Sequence, residues 1–144
     1  MTNSLLVGVD GSDGGSRAAD FAASRAAESQ TQLVVAYVIE WSPYSFNTPQ
    51  ENEERHKRRE EEITRAESDV VQPLLESLKA RGVDAKGIVR HGHAAEVLSQ
   101  LAKEEGASQI FIGRRGLTKL QALLFGSTAG SLVQISPVPV TVIP

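Results

Sequence analysis

The chain has 144 residues, a length at which one hydrophobic core is the default, and its 15 basic against 18 acidic side chains leave a net charge of -3. That balance excludes the global positive field that drives non-specific nucleic-acid binding, so any phosphate site has to be local. The absence of cysteine excludes disulfides, thiolate metal centres and thiol catalysis together. No basic leader opens the chain, and no apolar run approaches the ~20 residues of a membrane span, so a soluble cytoplasmic protein with one domain over residues 1–144 is the expectation.

The elements alternate. "LLVGVD" at 5–10 is a short apolar strand ended by Asp10-Gly11-Ser12, and the alanine-rich "SRAADFAASRAAES" that follows reads as a helix with a small-residue face. "QLVVAYVIE" at 32–40 is too continuously apolar and β-branched for a half-exposed strand, which predicts burial on both faces, as in a parallel sheet. Residues 41–49 read as loop. The run "ENEERHKRREEE" reads as a solvated helical overhang, after which Ile63, Ala66, Val70, Leu74 and Leu78 place one apolar stripe on a long helix. Pro73 lacks a donor and its ring clashes with the carbonyl of Asp69, which predicts a kink; Gly82 closes the helix.

A weaker strand "VDAKGIVRHG", a helix "AAEVLSQLAKEEG", a strand "SQIFIG", a short helix "STAGSLVQIS" and a final strand "VPVTVI" complete the chain. Five strands alternating with helices call for a mostly parallel sheet covered on both faces, an α/β, Rossmann-like architecture. In such sheets ligands sit beyond the carboxyl ends of the strands, at the loops after Asp10, Ile39, His91 and Ile112.

Those loops carry the informative residues. Gly113 and Gly116 stand where the fourth strand ends, and Gly126-Ser127 stands where the last helix begins. A helix start offers unpaired N–H groups and the positive end of its dipole, while glycine lets a polyanion approach the backbone. Ser127 and Thr128 add hydroxyls, and Arg114, Arg115 and Lys119 supply local cations. The architectural alternative has Gly113 and Gly116 shaping a tight turn and Ser127 merely capping the helix. Asp10 has the wrong charge for phosphate but can accept a hydrogen bond from an amino group or ribose hydroxyl; alternatively, it braces the turn amides of "GSDGG".

"LLVGVDGS" at 5–12, "AYVIE" at 36–40, "GRRG" at 113–116, "FGSTAGSLV" at 125–133 and the ending "SPVPVTVIP" together resemble the universal stress protein family over essentially the whole chain. The resemblance implies a five-stranded parallel sheet in order 3-2-1-4-5, helices on both faces, and membership of the class that binds ATP, with or without Mg²⁺. It places the adenine at Asp10, near the backbone of Val9 and Val38. Gly113 and Gly116, beside Ile112, Arg114 and Arg115, then follow the ribose and phosphates, and Gly126, Ser127, Thr128 and Ala129 hold the phosphate tail. Relatives often carry a hydroxyl where this chain has Ala129, and proline follows the third strand where it has His93-Ala94. The resemblance also implies a homodimer through the last strand, 138–143, whose Pro137, Pro139 and Pro144 remove edge donors.

No nucleotide-hydrolase signature and no catalytic base are present, so the chain reads as a stress-response regulator that senses a nucleotide, with slow hydrolysis at most. A phosphoacceptor receiver has a similar alternation, but His91 and Ile143 stand near the points where it needs aspartate and lysine. A dimeric adapter indifferent to nucleotide keeps the fold and makes the glycines scaffolding. His91 and His93 are too few for a metal site and read as loop or capping residues, His56 as solvated, and Tyr37, Phe111 and Phe125 as core.

Overall fold

A computed structural model describes residues 3–40, 49–114 and 126–144. Of the loop expected at 41–49, residues 41–48 lie outside the described residues, as do Arg115, Gly116, Lys119 and Phe125, while Pro49 is already helical. Five strands form one sheet in the order β3-β2-β1-β4-β5, all pairings parallel. They are β1 (Ser4–Val9), β2 (Gln32–Glu40), β3 (Ala85–Gly92), β4 (Ala107–Gly113) and β5 (Val140–Ile143).

Every residue of β1 is buried, which is why its sequence is continuously apolar rather than alternating. Leu5, Val7 and Val9 turn to one side, where they meet the alanine face of helix α1 (Asp13–Ser29), Leu78 and Phe111. Leu6 turns to the other side and joins Val34, Ile110 and Ile112 under helices α4 (Ala94–Glu104) and α5 (Ser127–Ile135). Ala18, Ala19, Ala22 and Ala23 are completely buried. Their small side chains bring α1 close to the sheet.

α1 starts three residues before the expected helix. Ser12 is its N-cap, accepting from the Gly15 N–H at 3.1 Å, so the polar turn and the two glycines after it belong to the helix. The long second helical segment divides into α2 (Pro49–Ala66), a π-helical turn (Glu67–Val71) and α3 (Gln72–Ala80). The Gln72 N–H reaches back to the Glu67 carbonyl, a five-residue step that widens the helix just before Pro73. Where a kink was expected, the helical ladder passes through a π turn. Gly82 adopts φ 77° after α3, in the left-handed region that ends helices. Gly87 admits this segment to β3, since a Cβ there would lie 2.4 Å from Val71 Cγ1.

β5 begins two residues later than the expected 138–143 strand. Pro139 has no N–H, so it joins only through its carbonyl, which accepts from Ile110 at 2.9 Å, and ladder pairing starts at Val140. Among the described residues no helix is long and apolar enough to cross a membrane.

Candidate functional site

The chain runs outward from β1 through β2 to β3, then returns to place β4 on the other side of β1. The crevice this reversal opens lies at the carboxyl ends of β1 and β4. A cleft of about 420 Å³ occupies it, within the roughly 300–1,000 Å³ usual for small-molecule sites. Val9, Asp10, Val38, Ile112, Gly113, Arg114, Gly126, Ser127, Thr128 and Ala129 all line it. The structure thus brings together every candidate residue that falls in the described segments.

At one end stands Asp10. Its Oδ1 accepts from the Ser12 N–H at 3.0 Å and from the Ser12 hydroxyl. The brace on the "GSDGG" turn therefore exists, and it fixes the carboxylate at the cleft wall. A carboxylate offers about four lone-pair positions, so this brace and ligand contact are compatible. Ser12 links Asp10 to the first turn of α1 by accepting from Gly15 while donating to Asp10. Gly15 leaves room for the arrangement: a Cβ there would sit 3.2 Å from Asp10 Oδ1 and 3.3 Å from the Asp10 nitrogen.

At the other end Gly126 is the N-cap of α5, with φ -66° and ψ 164° and no side-chain cap bond. That backbone is open to any residue, so left-handed geometry is not the reason for glycine here. The Gly126 N–H donates to the Arg114 carbonyl at 2.7 Å, and its own carbonyl accepts from Gly130 at 3.0 Å. The N–H groups of Ser127, Thr128 and Ala129 have no acceptor among the described residues. These are the orphan donors of a helix start, at the positive end of its dipole. Ser127 does not cap the helix by its side chain; it is the first helical residue and is exposed. The Ala129 side chain is 2% exposed and packs with Leu132 in the core, so its contribution to the cleft is its N–H, not the position of a missing hydroxyl.

Gly113 has a second reason for being glycine. A Cβ there would lie 2.8 Å from both the carbonyl carbon and oxygen of Gly14. The end of β4 and the first turn of α1 touch main chain to main chain. Arg114 follows directly; its N–H donates to the Ile143 carbonyl at 2.7 Å, and the residue lines the cleft.

Sequence reasoning missed part of the wall. Tyr37 packs against the core as expected but also lines the cleft. Burial raises its phenol pKa, and the nearby Asp10 carboxylate adds to the rise. Glu40, also in the wall, accepts from the Ala94 N–H at 3.1 Å, supplying from β2 the cap that His93 does not give α4. Its position was legible in principle, since strand alternation puts Glu40 on the same face as Val38. His93 Nδ1 lies 3.8 Å from Glu40, and His91 Nε2 lies 3.0 Å from Glu62. His56 pairs with Glu60 on an exposed face of α2. Phe111 is fully buried, as read.

The cleft is therefore bipolar, with carboxylates Asp10 and Glu40 beside the ends of β1 and β2, and Arg114 with the orphan amides beside β4 and α5. A ligand complementary to it carries hydrogen-bond donors at one end and negative charge at the other.

Comparison with known proteins agrees with this architecture. A model of the universal stress protein family matches residues 1–144. The universal stress protein encoded in the QAH/OAS sulfhydrylase 3' region of Thermus aquaticus is 32% identical, with 99% of each chain covered. The solved structure of UspA from Lactobacillus plantarum superimposes with a TM-score of 0.85 at 25% identity, covering 99% of this chain and 97% of that one. An Archaeoglobus fulgidus universal stress protein solved in complex with dAMP has a TM-score of 0.65 at 17% identity, covering 100% and 98% of the two chains. The sheet order, the helices on both faces and the full-length match together establish that this chain belongs to the universal stress protein family.

Proposed function

We propose that the protein is an ATP-binding regulator of the stress response, acting as a homodimer rather than as an enzyme. The observation that carries this reading is the cleft's polarity: a fixed carboxylate and strand backbone at one end, and at the other an arginine with three helix amides that have no acceptor among the described residues. Adenine sits against Val9, Asp10 and Val38, the ribose follows Ile112, Gly113, Arg114, Arg115 and Gly116, and the phosphates reach Gly126, Ser127, Thr128 and Ala129. The dAMP complex of the A. fulgidus relative supports an adenine nucleotide as the ligand class.

A micromolar complex requires about -8 kcal/mol, and a helix start contributes roughly 0.3–2 kcal/mol, so burial of the base supplies much of the rest. No group of three or more His, Asp or Glu side chains able to hold a metal occurs among the described residues. Mg²⁺, where it accompanies the nucleotide, would be held by the nucleotide's own phosphates and by water, with the Ser127 and Thr128 hydroxyls as protein oxygens that could join them. When bound, the ion neutralises phosphate charge; the chain's own residues orient the nucleotide. Self-association uses β5, an edge strand whose four residues are all half-exposed in the single chain.

A nucleotide-independent adapter is the second reading. The Gly113–Gly14 contact and the Asp10–Ser12 brace favour it, because each explains a motif residue without a ligand. Titration calorimetry with ATP and GTP in the presence of Mg²⁺ separates the two. ATP is expected to bind more tightly than GTP, and Asp10→Ala to erode that preference. No binding at millimolar ATP overturns the nucleotide reading, while equal affinities for ATP and GTP overturn the role given to Asp10. Light scattering at micromolar protein tests the dimer, and a monomeric mass refutes it.

A further inference from the structure

We propose that Glu40 is a positioning residue for the base of the bound nucleotide: its bond to the Ala94 N–H holds the first turn of α4 in place as the ceiling of the cleft's base end. The inference rests on the nucleotide reading above and extends it to a contact that helix capping alone would explain. Glu40 ends β2 two residues beyond Val38, on the same strand face. Its Oε1 accepts from the Ala94 N–H at 3.1 Å, and both residues line the cleft. Helices often open on proline, which has no N–H to satisfy. α4 opens on Ala94 with that donor in place, and the acceptor comes from a strand residue 54 positions earlier in the chain.

A second contact fixes the same face of the helix deeper in the cleft. Leu98 stands one turn beyond Ala94 and also lines the cleft. Beneath it is Gly8, paired with Ala36 of β2 and Ile112 of β4; a Cβ on Gly8 would be 3.0 Å from Leu98 Cδ1. Leu98 is 2% exposed and held by packing, whereas the Glu40 side chain is 58% exposed and holds by a hydrogen bond. The deep anchor therefore belongs to the core, and the rim anchor can be released without dissolving it. Once released, the first turn of α4 has to be ordered when the base enters, which subtracts from affinity. The start of α5, where the phosphates are placed, has no part in the contact.

Glu40→Ala removes the acceptor, while Glu40→Gln keeps an acceptor for Ala94 and removes only the charge. Calorimetry with ATP, and with adenosine and tripolyphosphate as its two halves, separates base from phosphate. For Glu40→Ala, ATP and adenosine affinity are each expected to fall roughly three- to tenfold, the effect of losing one hydrogen bond, with tripolyphosphate within about twofold of the parent. Glu40→Gln is expected to stay within about twofold for all three. An unchanged ATP affinity in Glu40→Ala overturns the inference, as does a loss in Glu40→Gln as large as that in Glu40→Ala, which would assign the effect to charge. Parent protein that fails to bind ATP sinks the nucleotide reading itself, and this inference with it. If Glu40→Ala folds poorly, amide hydrogen exchange in the parent serves instead: saturating ATP is expected to slow exchange at Ala94, and an unaltered rate overturns the proposal.

Discussion

Gly113→Ala offers the sharpest test of how the cleft is built. The added Cβ would stand 2.8 Å from two backbone atoms of Gly14, about 0.6 Å inside the distance at which ordinary contact begins. Neither partner is a flexible side chain, so relief requires moving the start of α1 away from the end of β4. Overpacking of this kind costs about 1–3 kcal/mol, which for a chain of this size lowers the thermal midpoint by roughly 3–12 °C. Gly130→Ala is the internal control, because a Cβ there meets nothing within 4 Å and the residue lies within α5. Alanine in a helix interior is better than glycine by about 0.5–1 kcal/mol. Differential scanning calorimetry without nucleotide should therefore move the two midpoints in opposite directions. A Gly113→Ala protein melting within 1 °C of the parent would refute the main-chain contact and return Gly113 to a purely ligand-facing role.

Other outcomes follow from the same geometry. Ser12→Ala removes the acceptor for the Gly15 N–H and a donor to Asp10, and urea denaturation should show a loss of about 1–2 kcal/mol. Gly126→Val should weaken ATP far more than adenosine, since it crowds the amide end of the cleft; calorimetric losses of equal size for both ligands would move the phosphates elsewhere. Tyr37 gives a pH signature. Its pKa is raised above the ordinary 10.0 in the folded chain, so the folded state holds a proton that the unfolded state releases first. Stability is unaffected below pH 10 and falls as pH rises from there through the folded value. Urea midpoints measured from pH 9 to pH 11 should decline more steeply for the parent than for Tyr37→Phe, and parallel declines would contradict it.

The architecture was legible because hydrophobic periodicity reports burial directly. "LLVGV" has no polar alternation and proved buried throughout, whereas of "QLVVAYVIE" only residues 33–36 are buried and the strand emerges half-exposed over residues 37–39 at the cleft end. The candidate residues were legible as positions, since those now described stand near the carboxyl end of a strand, just after one, or at the start of a helix, and they line one cleft. What sequence could not supply was the reason for each residue. Gly113 looks like an accommodation for ligand until Gly14, 99 positions earlier in the chain, is seen against it. Ser12 looks like a strand terminator until its hydroxyl is found capping α1. The π turn before Pro73 was readable only as a kink, because pattern shows where a helical ladder is interrupted and not how it is repaired. Glu40 was passed over because its partner, the Ala94 N–H, is brought to it by the sheet rather than by sequence spacing.

Arg114 stands between two neighbours with different duties. Its N–H holds the last residue of β5, and its carbonyl holds the residue that opens α5. A single Cα thus mechanically joins the rim of the sheet to the mouth of the cleft, with no side chain interposed to absorb a displacement. Should strand pairing along that rim and filling of the mouth prove coupled, linkage requires each to change the free energy of the other by the same amount.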